Sequence, residues 1–276
     1  MSGDGDGVPR HDERADPAAA ARRLGAALEG AKAFVESSRE PVSVAYLAAL
    51  AGNPGELREM AARCTEPSGA LGSLLPGAPE GPGVASTVDA LNGLFAAGIR
   101  DGSLVENAAG FLQRAQDESG AWVDPVVREP LAALSLSGHA CGVLGQTPFA
   151  RQSTLDRGVE YLAHAWSVDR VQEGRLDVIA AYLHALSASP SDLADEALQW
   201  CGRELERGWR IGRFAPASVA RVFLLCDAMA LPAAKVSASD IVEALLDTQA
   251  QDGSWEGGLR STLEAAATLA RHDSKG

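Results

Sequence analysis

Cysteine is sparse and scattered: Cys64, Cys141, Cys201 and Cys226 form no Cys-x-x-Cys pair. That excludes a zinc ribbon and a disulfide framework and leaves buried free thiols as the expectation. Positive charge is in short supply, with 24 Lys+Arg against 37 Asp+Glu and a net charge of −13, so sequence-independent nucleic-acid binding is excluded. No run approaches the roughly 20 apolar residues of a membrane helix, and residues 1–16 lack the apolar core of a signal peptide. A cytoplasmic protein without stable membrane insertion is expected. Alternating Val, Ile, Thr and Tyr runs are few, which argues against strands.

What is present is helix after helix. Residues 1–16, rich in Gly, Asp and Arg, read as a tail that cannot offset its ordering entropy, and residues 17–276 as one domain. Pro17, Pro41, Pro54, Pro216 and Pro232 punctuate the segments. Two kinds of helix alternate. Stretches 17–37, 56–64, 104–116, 155–166, 191–207 and 239–250 are amphipathic, with one apolar stripe. Stretches 42–51, 84–97, 127–144, 177–188, 216–231 and 260–271 are apolar nearly all round and rich in small residues.

A repeat accompanies this alternation. Gln116, Gly120 and Trp122, and again Gln249, Gly253 and Trp255, share the pattern Gln-x3-Gly-x-Trp at the end of an amphipathic helix. Degenerate copies keep the Gly and a large apolar residue: Gly69 with Leu71, Gly174 with Leu176, Gly212 with Phe214. About six helical hairpins with buried partners inside and amphipathic ones outside make an all-α fold, an α/α barrel or toroid, with the Pro/Gly-rich stretch 67–83 inserted between hairpins.

The Gln-x3-Gly-x-Trp element followed by a small-residue helix resembles the QW repeat of terpene cyclases and the related protein prenyltransferase β-subunits, most closely over Gln249–Trp255 and the following 261–270. In that superfamily the Gln caps a neighbouring helix and stacks on the Trp, so the resemblance implies a fold rather than a reaction. The acid motif Asp-x-Asp-Asp is missing, since Asp192, Asp195 and Glu196 have the wrong spacing, and so is the magnesium motif Asp-Asp-x-x-Asp. Aromatics make up only 5%, few for cation–π stabilisation of carbocations. His139 with Cys141, and Cys226 with Asp227, do not match the prenyltransferase zinc ligands, so neither a metal nor a cofactor is expected.

Polar residues on the inner helices supply the candidate site. Asp177 and His184 share one face by the helical period, as do Arg128, Ser135 and His139; Phe223 and Asp227 are spaced four apart, as are Arg260 and Glu264, with Asp89 on a further inner helix. Asp177, assisted by His184, or else Asp227 or Glu129, is the expected proton donor or acceptor. Arg128, Arg221 and Arg260 would anchor a polar or anionic head, with His139, Glu264, Asp89, Tyr46, Phe95, Tyr182 and Phe223 completing the wall. Structural roles compete for the same residues: Asp177 as a helix cap, Arg260 and Glu264 as an ion pair, His139 or His184 as a core histidine. The resulting expectation is a terpene-cyclase-like enzyme of secondary metabolism that cyclises or isomerises a hydrophobic isoprenoid or polyene. The alternatives are a non-catalytic binding or scaffold protein and a prenyltransferase-like subunit.

Overall fold

The computed structural model describes residues 17–124, 130–189, 191 and 194–275. Arg128, Glu129 and the expected tail 1–16 lie outside them. The described chain is all-helical, with thirteen helices: α1 (Pro17–Ser38), α2 (Pro41–Leu50), α3 (Gly55–Arg63), α4 (Val84–Ala96), α5 (Ser103–Ala115), α6 (Pro130–Gly145), α7 (Gln152–His164), α8 (Val168–Gln172), α9 (Leu176–Ala188), α10 (Ala194–Arg210), α11 (Pro216–Leu225), α12 (Ala238–Thr248) and α13 (Leu259–Lys275). None is long and apolar enough to cross a membrane. The short α8 was not foreseen; it fills the link between α7 and α9. The expected helix 216–231 ends early, at Leu225. There Ala228 N–H bonds the Phe223 carbonyl and Asp227 takes a left-handed φ of 52°, the reversal that terminates a helix.

The alternation of buried and amphipathic helices is realised in the packing. Every residue of α9 from Val178 to Leu186 is buried, whereas α10 buries Ala194, Ala197, Cys201, Leu205 and Gly208, a stripe at helical spacing. The apolar helices follow one another in contact: α4 on α6, α6 on α9, α9 on α11, α11 on α13 and α13 on α2. Amphipathic α1, α3, α5, α7, α10 and α12 pack on their neighbours, and α1 meets both α12 and α13, so the two ends of the chain come together. The tightest of these junctions, α6 on α9, follows from glycine. A Cβ on Gly138 or Gly145 would lie 2.6 or 2.8 Å from the Ala181 or Ala188 side chain, and one on Gly142 would strike the His184 ring. Larger residues there would force the two helices apart.

The repeat motif acts as a clasp between successive hairpins. The amide of Gln116 donates to Gly120 O and to Thr154 O of α7, each at 3.0 Å. That of Gln249 donates to Gly253 O at 3.0 Å and to Ala27 O of α1 at 2.8 Å. The Gln249 clasp thus joins the last hairpin to the first, reinforced by Arg23 on Glu243 and Asp247. Both Trp side chains are fully buried, and each indole N–H donates to a carbonyl of the preceding helix, Leu112 or Leu245. Gly120 and Gly253 sit at φ near 90°, with a neighbouring carbonyl 2.3 and 2.1 Å from where a Cβ would stand.

Residues 65–71 repeat the glycine turn without the clasp: Gly69 has φ 90° with Asn107 O 2.4 Å from where a Cβ would stand, whereas the Thr65 hydroxyl bonds back to Ala61 O. The motif's large residue is anchored in the same way in all three copies. Leu71, Trp122 and Trp255 donate their backbone N–H to a buried hydroxyl of the following inner helix, Thr87, Ser137 or Thr262, at 2.9, 2.8 and 3.1 Å. Replacing Gln249 by leucine strands the Gly253 carbonyl and removes the bond to the Ala27 carbonyl, which keeps only its intrahelical partner. We expect a loss of about 1–3 kcal/mol, with faster hydrogen exchange concentrated in α1. Uniform exchange across the chain would mean that the clasp does not hold α1.

Candidate functional site

The first two turns of α4, α11 and α13 carry Asp89, Arg221, Arg260 and Glu264 to a common wall, and those of α9 carry Asp177 to its edge. Arg221, Arg260, Glu264 and Asp177 line an open cavity of about 680 Å³ together with Ser135, His139, Ala180, Ala217 and Ser218. Asp89 lines an adjoining recess of about 350 Å³, which shares His139, Asp177, Arg221 and Arg260 with the cavity and extends to Asn92 and Asp124. The inserted stretch 67–83 borders these spaces through Pro76, Gly77 and Pro79. Because Asp177, Ala217, Ser218 and Arg260 come from the N-terminal turns of α9, α11 and α13, the partial positive charge of those termini favours an electron-rich ligand group.

Four charges form one network. Arg260 bonds both oxygens of Asp89, with Nη1 at 3.3 Å from Oδ2, and its Nε donates to Glu264 at 3.0 Å. Burial opposes the Arg260 charge, but the bonds and charges of Asp89 and Glu264 outweigh it and raise its pKa above the usual arginine range. Arg221 is held more loosely, its Nε at 3.5 Å from Glu264 and its Nη2 at 3.9 Å from Asp89. It is 37% exposed and reaches the main cavity and its recesses. Ion pairing therefore saturates Arg260, while Arg221 keeps guanidinium donors for a ligand. Tyr46 of α2 is buried beside this network; burial and the negative charge of Glu264 push its hydroxyl pKa up, so it stays protonated.

His139 and His184 meet across the α6–α9 junction, Nδ1 to Nδ1 at 3.2 Å. Burial, followed by the Arg221 charge, lowers the His139 pKa to about 3. Burial and the neighbouring His139 lower that of His184 as well. Both rings are neutral at pH 7. Only His139 lines the cavity; His184 lies behind it, fully buried, so the shared helical face of Asp177 and His184 does not bring the two to one spot.

Asp177 is at the cavity edge but is not a helix cap. Arg175 occupies the cap position and bonds both Asp177 oxygens, at 3.2 and 2.7 Å. Burial raises the Asp177 pKa, yet the Arg175 hydrogen bond and charge outweigh it and the net shift is downward. The carboxyl whose pKa moves the other way is Glu256. Burial, then Glu264, raise it, and the residue lines the cavity on a left-handed backbone of φ 54°. Sequence patterning passed over Glu256 because it belongs to a turn, directly after Trp255, and no helical period reaches it.

Asp227 and Phe95 are placed elsewhere. The early end of α11 takes Asp227 off the helical register shared with Phe223, and it pairs with Arg100 at 2.8 Å and with Arg271. Together with Phe95, over which Arg100 lies at 5.8 Å, these residues border a separate recess of about 470 Å³ at the C-terminal ends of α2 and α4. Tyr182 turns away from the cavity, meeting Trp166 edge-on at 5.0 Å and bonding Leu162 O. Phe223 is buried in the core. Cys141, Cys201 and Cys226 are buried free thiols and Cys64 is half-buried. Burial pushes the Cys141 and Cys226 thiols up to about 12, so neither is a ready nucleophile.

Comparison with known proteins gives no match: no protein-family model fits the chain and no curated protein is significantly similar to it.

Proposed function

We propose that the helices close into an α/α ring similar to that of the terpene cyclases, and that the chain is an enzyme using the cavity at one mouth of the ring. Its substrate is a small molecule with an apolar body, an isoprenoid or polyene carrying a polar or anionic head, which it cyclises or isomerises by acid–base chemistry. A role in secondary metabolism fits this substrate class. The observation that carries the reading is the ion network of Asp89, Glu264, Arg260 and Arg221 on an open cavity wall. Charges at such depth seldom stabilise a fold better than apolar residues would. A ligand-facing guanidinium held by two carboxylates gives them a purpose.

In this scheme Arg221 holds the head group. Arg260 positions Asp89 and Glu264. Glu256, a carboxyl on the cavity lining, is the group in this scheme that exchanges a proton with the substrate in place of the missing Asp-x-Asp-Asp motif. Small residues such as Ala180, Ala217 and Ser218 leave room for the apolar body. A second reading, a binding protein without turnover, is favoured by one observation: Asp177 and Asp89 are tied up in ion pairs and poorly placed to exchange protons.

The binding step is tested by thermal shift with prenyl diphosphates and neutral polyenes. Farnesyl diphosphate or a neutral analogue is expected to raise Tm in proportion to RT ln(1 + [L]/Kd). Replacing Arg221 by glutamine is expected to remove most of that rise while leaving the ligand-free Tm within about 2 °C, since Arg221 is loosely paired and its loss is worth about 0.5 kcal/mol or less. An identical ligand shift in Arg221→Gln would remove the anchor from the scheme.

A further inference from the structure

The junction of α6 and α9 fixes a proton as well as a packing distance. The Gln146 side chain, at the C-terminal end of α6, places its Nε2 2.5 Å from the Leu225 carbonyl and 3.0 Å from His184 Nε2. A carbonyl oxygen only accepts, so the amide nitrogen must face Leu225; turning the amide round would set two oxygens against each other. The same NH2 group then has its second hydrogen for His184 Nε2, which accepts. His184 is neutral, so its proton sits on Nδ1 and is donated across the 3.2 Å gap to His139 Nδ1. His139, accepting there, carries its own proton on Nε2, the nitrogen not engaged by His184.

We propose that Gln146 and His184 are positioning residues that lock His139 as a neutral imidazole presenting Nε2–H to the cavity, and that this N–H engages an oxygen acceptor of the ligand. The acceptor is a carbonyl, ether or alkoxide oxygen rather than an ammonium or a bare hydrocarbon. The relay starts at a main-chain carbonyl of α11, which cannot change its hydrogen-bonding sense, and each later hydrogen bond has one permitted direction. A neutral imidazole donor keeps its proton while stabilising charge that develops on oxygen, as an oxyanion-stabilising group should. Space for the His184 ring is made by Gly142. The ligand clause rests on the cavity being the binding site; the tautomer clause does not.

Nitrogen NMR on histidine-labelled protein at pH 7 separates the two. The ring signals of His139 and His184 are assigned by comparison with His139→Gln and His184→Gln. The expected result is one proton on Nε2 of His139 and one on Nδ1 of His184. A proton on His139 Nδ1, or an imidazolium at either site, overturns the relay. In Gln146→Leu the His139 signals are expected to become a tautomer mixture, and an unchanged Nε2–H there also overturns it. The ligand clause is read with farnesal, which has a carbonyl oxygen, and farnesene, which has none. Farnesal is expected to shift the His139 Nε2–H signal and to bind about tenfold more weakly to Gln146→Leu, the factor that one hydrogen bond is worth. Farnesene is expected to be indifferent to the substitution. Tautomers as proposed, with no His139 response to farnesal while the Arg221-dependent Tm shift persists, overturn the acceptor assignment alone. Loss of that Tm shift as well places the failure in the cavity reading.

Discussion

Alanine at Trp255 is expected to destabilise the protein by about 3–5 kcal/mol, the range for emptying a fully buried aromatic site, and to lower Tm by on the order of 10 °C. Two effects add at this residue: the indole is 1% exposed and its N–H caps the Leu245 carbonyl, whereas the backbone N–H bond to the Thr262 hydroxyl survives the substitution. Because the neighbouring Gln249 clasp reaches α1, the loss should be felt at both ends of the chain. Trp200, half-buried on α10 with Arg203 over its ring, is the comparison, and its alanine variant should lose clearly less. Equal losses would deny the repeat its part in holding the fold, which thermal denaturation of the two variants decides.

The second large effect is expected at Asp89. Its removal leaves Arg260, only 22% exposed, with half of its counter-charge, and breaking a buried pair from one side costs about 3–5 kcal/mol. Replacing the paired set together, Asp89→Leu with Arg260→Met and Glu264→Leu, should recover most of that stability, because apolar residues of similar volume satisfy a core as well as the ions do and no buried carboxylate is left without its partner. Ligand binding, by contrast, should not return in the triple variant, since Arg221 loses both carboxylates that aim it. Recovery of both stability and binding would show that the network is a structural feature only. Urea denaturation of the single and the combined variant and the Tm shift with farnesyl diphosphate provide both readings.

These two experiments touch the parts of the molecule that sequence exposed most and least. Helix limits were legible where chemistry punctuates them: Pro41 and Pro216 open α2 and α11. The repeat was legible because glycine alone tolerates the left-handed backbone at 120 and 253 with a carbonyl against it. Its partial copy at 65–71 was harder to read, since Thr65 and Leu71 stand where the others have Gln and Trp, although the hydroxyls of Thr87, Ser137 and Thr262 mark all three. Helical spacing brought Arg260 and Glu264 together correctly but did not contain the bond of Arg260 to Asp89 on another helix. It misplaced Asp227, because an α-helix register holds only while the helix lasts, and α11 stops at Leu225. Spacing also gave no hint of Glu256, which sits in a turn, or of Gln146, which acts through a partner on another helix. Tertiary approach decides both, and a one-dimensional pattern does not contain it.

The most direct test of the central claim is product analysis. Purified protein and its Arg221→Gln variant are incubated with farnesyl diphosphate, other prenyl diphosphates and neutral polyenes, and the extracts are resolved by gas or liquid chromatography with mass detection. The account predicts a new compound from one of these substrates, of unchanged mass because cyclisation and isomerisation only rearrange atoms, formed by the native protein and lost in Arg221→Gln. Ligands that bind and raise Tm yet are returned unaltered would contradict it, and would make this all-helical chain a binding protein.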